Sequence, residues 1–171
     1  MIALRVAAFV LGALVLQSAL ERVVGGEVID LGLVAVVSVA LLYGRVAGLL
    51  AGTLAGLVQD ALGGGVLGMS GLGKSVAGYL TGVVGTQFIV TQTVSRFLVF
   101  LGATVMNRAL FVGLSVLLGL RHYDRPYVDV ALQGVGNAVL GVLLFHLIEF
   151  LPGAGEWWRV VLERRRKRRF H

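Results

Sequence analysis

The chain has 171 residues, 57% of them hydrophobic, with no cysteine and a mean hydropathy of +0.91. Such a composition is far too apolar for an ordinary soluble domain, and it excludes disulfides and thiolate metal sites. The net charge of +6 lies in one place, because Arg164, Arg165, Arg166, Lys167, Arg168 and Arg169 supply six positive charges and leave the rest neutral.

Apolar runs near the length needed to cross hydrocarbon recur from residue 2 to residue 150. They predict an all-α integral membrane protein, a bundle of about six transmembrane helices. The first run, residues 2–20, stops at Glu21-Arg22. Arg5 precedes it as in a signal peptide, but no small-x-small cleavage site follows, so it reads as a retained helix. The linker ERVVGGEVID carries Glu21, Glu27 and Asp30 and reads as an outer loop. From residue 31 to residue 59 the only charge is Arg45. One continuous helix would hold Arg45 near mid-bilayer at a cost of at least about 2.5–3.5 kcal/mol. A break at Tyr43-Gly44-Arg45 into two shortish spans is therefore expected.

A polar, glycine-built turn over residues 63–73 follows, then a span at 72–90 and a polar link at 91–96. The fifth span, 97–120, holds Asn107-Arg108 near its middle. The loop RHYDRPYVD leads to the sixth, 130–150, which Pro152-Gly153 end.

The stretch from Gly44 to Gly85 organises this pattern. Gly48, Gly52 and Gly56 are four apart and share one side of a helix, and Gly78 and Gly82 repeat the device. Small residues at that spacing let helix backbones approach closely in a membrane. A membrane hairpin is the simplest reading. Asp60 and Lys74 flank its turn, where they can reach each other, cap free backbone groups or merely mark helix ends.

Arg108 is expected to face the bundle, with Asn107, Gln133, Asn137, Gln59 and Asp60 as the polar groups within its choice. A buried structural pair is favoured over a transport site. The histidines, His122, His146 and His171, form no metal or nucleophile motif, and His146 reads as an interfacial partner of Glu149. No catalytic, cofactor or metal site is expected. Residues 68–75, GMSGLGKS, match the phosphate-cradling GxxxxGKS pattern. The match lacks a preceding strand and an acidic strand end for magnesium, and it joins two apolar helices, so nucleotide binding is set aside.

Two parts are expected, a transmembrane domain over residues 1–155 and a basic cytoplasmic tail over 156–171. Trp157 and Trp158 beside the tail read as a headgroup-level anchor, and the tail cations favour anionic lipid over nucleic acid. Six spans put both termini on one side, and the tail makes that side cytoplasmic. Arg5, Arg45, Arg96, Arg159 and the six tail cations are then inside, against Arg22, Lys74, Arg121 and Arg125 outside.

The run GLLAGTLAGLVQDALGGGVLGMSGLGKSVAGYLTG resembles the MreD family, small membrane proteins of the bacterial cell-shape and cell-wall elongation machinery. The resemblance is carried by G-x-x-x-G-L-x-x-D at Gly52 to Asp60, the glycine-rich segment with Leu67-Gly68, and Gly78-Tyr79-Leu80. It implies a compact six-helix fold similar to the substrate-binding subunits of energy-coupling-factor vitamin transporters. It also implies a non-enzymatic role in the inner membrane beside MreC, a single-span protein. Behind MreC stand the actin-like MreB and the wall-synthesising glycosyltransferase and transpeptidase. Lys74, in the GLGKS form, departs from the family's more usual forms. The alternative is a vitamin-binding transporter subunit, with Asp60, Lys74, Arg108 and Asn137 lining a cavity.

Overall fold

A computed structural model describes residues 2–24, 29–63, 66–87, 92–119 and 126–150. Within them six helices follow in order: α1 (Ile2–Val24), α2 (Leu31–Tyr43), α3 (Arg45–Gly63), α4 (Met69–Gln87), α5 (Thr93–Leu117) and α6 (Pro126–Phe150). The all-helical expectation holds for the described residues.

The second helix sits at the centre. It is apolar all round, which suits a helix enclosed on every side. Gly32 through Leu41 are all buried, and α2 packs against each of the other five helices. Asp30 caps its start, accepting the Leu33 N–H at 2.8 Å. It stops at Gly44, whose φ of 94° is a conformation that side chains disfavour. The break expected at Tyr43-Gly44-Arg45 is there, and Arg45 opens α3. At thirteen residues α2 is short. A rise of 1.5 Å per residue makes it about 20 Å long, less than the hydrocarbon thickness of about 30 Å.

Three stretches are long and apolar enough to cross a membrane: Arg45–Gly63, Thr93–Leu117 and Val130–Leu147. Their outward side chains, such as Leu54, Leu98, Val105, Leu132 and Leu143, are apolar and exposed.

Helices α3 and α4 run antiparallel with their backbones in contact. A methyl group built on Gly48 would overlap the Gly78 carbonyl; on Gly52, the Lys74 carbonyl; on Gly56, the Gly71 backbone. Gly82 meets Arg45 in the same way. The Thr53 and Ser75 hydroxyls bridge the pair at 2.7 Å. Helices α5 and α6 form a second antiparallel pair, packed through side chains. Phe100 and Phe145 meet edge to face at 6.1 Å, and the Arg96 guanidinium lies 4.9 Å over the Phe145 ring. Leu33, Val37 and Ala138 complete that core, while Val10, Leu14, Val36 and Ala55 fill the other side of α2.

Several boundaries differ from the sequence reading. The glycine-dense segment is mostly helix: α4 begins at Met69, three residues before the expected start, and includes Gly71 and Gly73. Asp60 makes this possible by supplying acceptors to the first amides of α4. Helix α5 begins at Thr93, so Arg96 is not in a polar link. It is buried in the first turn of α5, its charge held against an aromatic face. Helix α6 begins at Pro126, inside the expected loop, as suits a proline in a first helical turn.

Candidate functional site

The polar side chains of this apolar chain converge where the start of α2 meets α1, α4, α5 and α6. Asp30 is at the junction. Its carboxylate caps α2 and takes an ion pair from Lys74 of α4, and its backbone N–H donates to Asn137 Oδ1 of α6 at 2.9 Å. Asn137 Nδ2 donates to Thr104 Oγ1 of α5 at 3.2 Å, and the Thr104 hydroxyl donates to the Phe100 carbonyl at 2.9 Å. From α1, Gln17 Oε1 accepts the Gly32 N–H at 3.0 Å while its amide donates to Glu21. Five helices are thus tied through one buried carboxylate and its neighbours.

Burial explains the completeness of this network. Lys74 is only 1% exposed. An ammonium in such a place needs a countercharge, and removing one partner of a buried pair usually costs about 3–5 kcal/mol. Glycine supplies the room. Helices α3 and α4 close on each other through Gly52 and Gly56, and the Lys74 carbonyl lies against Gly52.

Asp60 does a different job. Its carboxylate accepts the Gly68 N–H at 2.8 Å and the Ser70 N–H at 3.1 Å, satisfying amides that the start of α4 leaves without helical partners. Gly68, with φ of 94°, makes the bend that aims its N–H at Asp60. Of the alternatives open for Asp60 and Lys74, Asp60 takes the capping role and Lys74 pairs with Asp30 instead. Neither Lys74 nor Asp30 is a free charge in a surface loop: both are buried and paired with each other. The GxxxxGKS match fails in the same way, since its lysine is enclosed and its first turn is capped by a carboxylate that would repel phosphate.

Arg108 meets Gln133, one of its expected partners, with Nε donating to Oε1. Asn107 does not join that pair. It is buried at 6% exposure, and no protein group donates to its Oδ1. Gly48, Gly52, Gly56, Gly78 and Gly82 all lie in the α3–α4 contact. His146 points its Nδ1 at the Val142 carbonyl one turn back, and the Glu149 side chain lies outside the described residues. So do Trp157, Trp158, Arg159 and the basic tail, Arg164 to Arg169.

Beside the Asp30–Lys74 pair is a cavity of about 40 Å³. Gln17, Gln59, Ser70, Asn107, Arg108 and Gln133 line it together with the pair, and Phe111 forms an apolar patch of the wall. Asp60 and Asn137, expected in a ligand cavity, are not in its wall. Among the described residues no group of three metal-ligating side chains occurs.

Sequence reasoning missed Asp30, Gln17 and Phe111 as parts of this cluster. Two signals were present. Asp30 directly precedes the unbroken apolar run LGLVAVVSVALLY, which is a helix-capping position. Gln17 is the one amide in the mostly apolar first run. Phe111 carried no signal among so many apolar neighbours. No protein-family profile, curated protein or solved structure matches the chain.

Proposed function

We propose that this chain is a multi-pass membrane scaffold of the MreD type, non-enzymatic, with six helices in the bacterial inner membrane and both termini in the cytoplasm. In this reading it binds an MreC-like single-span protein and so supports MreB-directed wall synthesis. The basic tail rests on anionic lipid.

One observation carries the reading. Among the described residues, three charged side chains inside the bundle are spent on holding it together. Lys74 is tied to Asp30, Asp60 to the first amides of α4, and Arg108 to Gln133. What the body offers outward is apolar helix surface, including Leu98, Val105, Leu132 and Val139 on the α5–α6 side. That is a surface for lipid and for a partner helix. Three of the six helices fit a membrane less directly. In α1 the apolar stretch is the shorter Val6–Glu21. Helix α2 is short and enclosed, and α4 carries Ser70, Lys74 and Ser75; these two pack against neighbours, the condition under which polar or short segments persist at membrane depth.

The test is a detergent pull-down of the tagged chain from its native membranes, followed by mass spectrometry. A single-span, MreC-like protein recovered in near-equal amount is the expected result. An ATPase pair with a coupling subunit would overturn the scaffold reading in favour of a transporter subunit. The polar cavity is the observation that favours this second reading, although its 40 Å³ is far below the roughly 300 Å³ at which small-molecule pockets begin.

A further inference from the structure

The cavity beside Asp30 sets narrow terms for an occupant. Asn107 Oδ1 on α5 and Gln59 Oε1 on α3 are buried acceptors to which no protein group donates. A buried acceptor left so is unfavourable, and the occupant must therefore bring hydrogens. The wall holds two cations, Lys74 and Arg108, against one carboxylate, Asp30. Its net positive charge disfavours a metal cation, although oxygen atoms are plentiful. A bare anion would suit the cations and leave both acceptors facing like charge. Size disfavours most organic ligands: about 40 Å³ is room for only a few water-sized groups.

We propose that this cavity is a binding site for a small resident cluster of water molecules. Water is neutral, donates and accepts, and fits. The cluster donates to Asn107 Oδ1 and Gln59 Oε1 and accepts from the Lys74 ammonium, which has N–H groups beyond the one given to Asp30. It hydrates the ion pair from its open side and joins α3 to α5 across the cavity. The inference does not depend on the scaffold reading. It rests on the acceptors, the charge and the volume.

Hydroxyl-radical footprinting of the full chain in detergent, driven by X-ray pulses, tests it, because bound water generates radicals in place and oxidises the side chains beside it. Phe111, in the cavity wall, is expected to be oxidised many-fold faster than Phe100 and Phe145, which lie in the apolar core. Asn107→Leu and Gln59→Leu each remove an acceptor and fill space, and each is expected to lower Phe111 oxidation several-fold while Phe100 and Phe145 stay protected. A Phe111 rate as low as that of Phe100 in the wild-type chain overturns the proposal. So does an unchanged rate in both leucine variants, which would trace the labelling to outside solvent. If Asn107→Leu fails to fold, seen as oxidation of Phe100, the wild-type rate and Gln59→Leu decide. An organic molecule retained one per chain in native mass spectrometry also overturns it.

Discussion

The α3–α4 pair and the α5–α6 pair are both antiparallel, and both place glycine at the contact, yet glycine does opposite things in them. Between α3 and α4 it lets backbone meet backbone: Gly48, Gly52 and Gly56 face main-chain atoms of Gly78, Lys74 and Gly71. Between α5 and α6 it makes sockets for side chains, Gly141 for the Phe100 ring and Gly134 for the end of Leu101. The first contact cannot yield without moving a whole helix. The second yields when one side chain turns. In the first pair the polar groups are the capping Asp60 carboxylate and the bridging Thr53 and Ser75 hydroxyls; in the second they are the pairs Arg108–Gln133 and Thr104–Asn137, the latter continuing to Asp30. Small residues alone do not reveal which kind of contact a helix pair makes.

That difference is open to direct attack. Gly52→Leu or Gly56→Leu is expected to have the largest effect, about 3 kcal/mol or more, since the added group meets the α4 backbone, which cannot turn aside as a side chain can. Thermal or denaturant unfolding in detergent followed by circular dichroism reads it, and a variant within 1 kcal/mol of wild type, on the roughly 3 expected, would refute the backbone contact. Next comes Lys74→Met, expected to cost about 3–5 kcal/mol by stranding the Asp30 carboxylate. Adding Asp30→Asn should recover much of that loss, because the neutral amide still offers an oxygen to Leu33. A double variant no better than Lys74→Met would mean the charge is not what matters.

Smaller effects sharpen the contrast. Gly141→Ala brings a methyl group to 2.5 Å from the Phe100 ring, and the ring can shift, so a loss of about 1–3 kcal/mol is expected. Asn137→Leu should fall in a similar range of about 1–3 kcal/mol, because it leaves the Asp30 N–H without its acceptor. Gly12→Ala and Gly102→Ala lie at the other end of the scale. Nothing stands within 4 Å of the added group, and better helix propensity should stabilise the chain by up to about 1 kcal/mol. A loss of stability at both positions would show that those faces are covered.

Much of the α3–α4 pair could be read in advance, because its four-residue glycine spacing encodes the geometry directly. The break at Gly44 was equally legible, since a lone arginine in an apolar run needs an exit. The polar cluster was legible only in part. Arg108 and Gln133 could be proposed as partners because both interrupt apolar runs. The Asp30–Lys74 pair spans 44 positions, and each residue stands beside an ordinary loop signal, so local pattern assigned both to the surface. The same masking moved the start of α4: glycines that look like turn residues are helical there because Asp60, eight positions before Gly68, caps them from α3. Tertiary partners decided these cases, and a single chain read by periodicity holds no record of them.

A contact made by main-chain atoms also shapes how such a protein can diverge. At Gly48, Gly52, Gly56, Gly78 and Gly82 the admissible alphabet shrinks to one letter, because any larger side chain strikes backbone. At Leu49, Leu50, Leu54, Leu57 and Leu80, which face outward, almost any apolar letter will serve. Drift can therefore rewrite most of the α3–α4 pair while its geometry stands still, leaving a sparse lattice of glycines as the heritable signature of the fold.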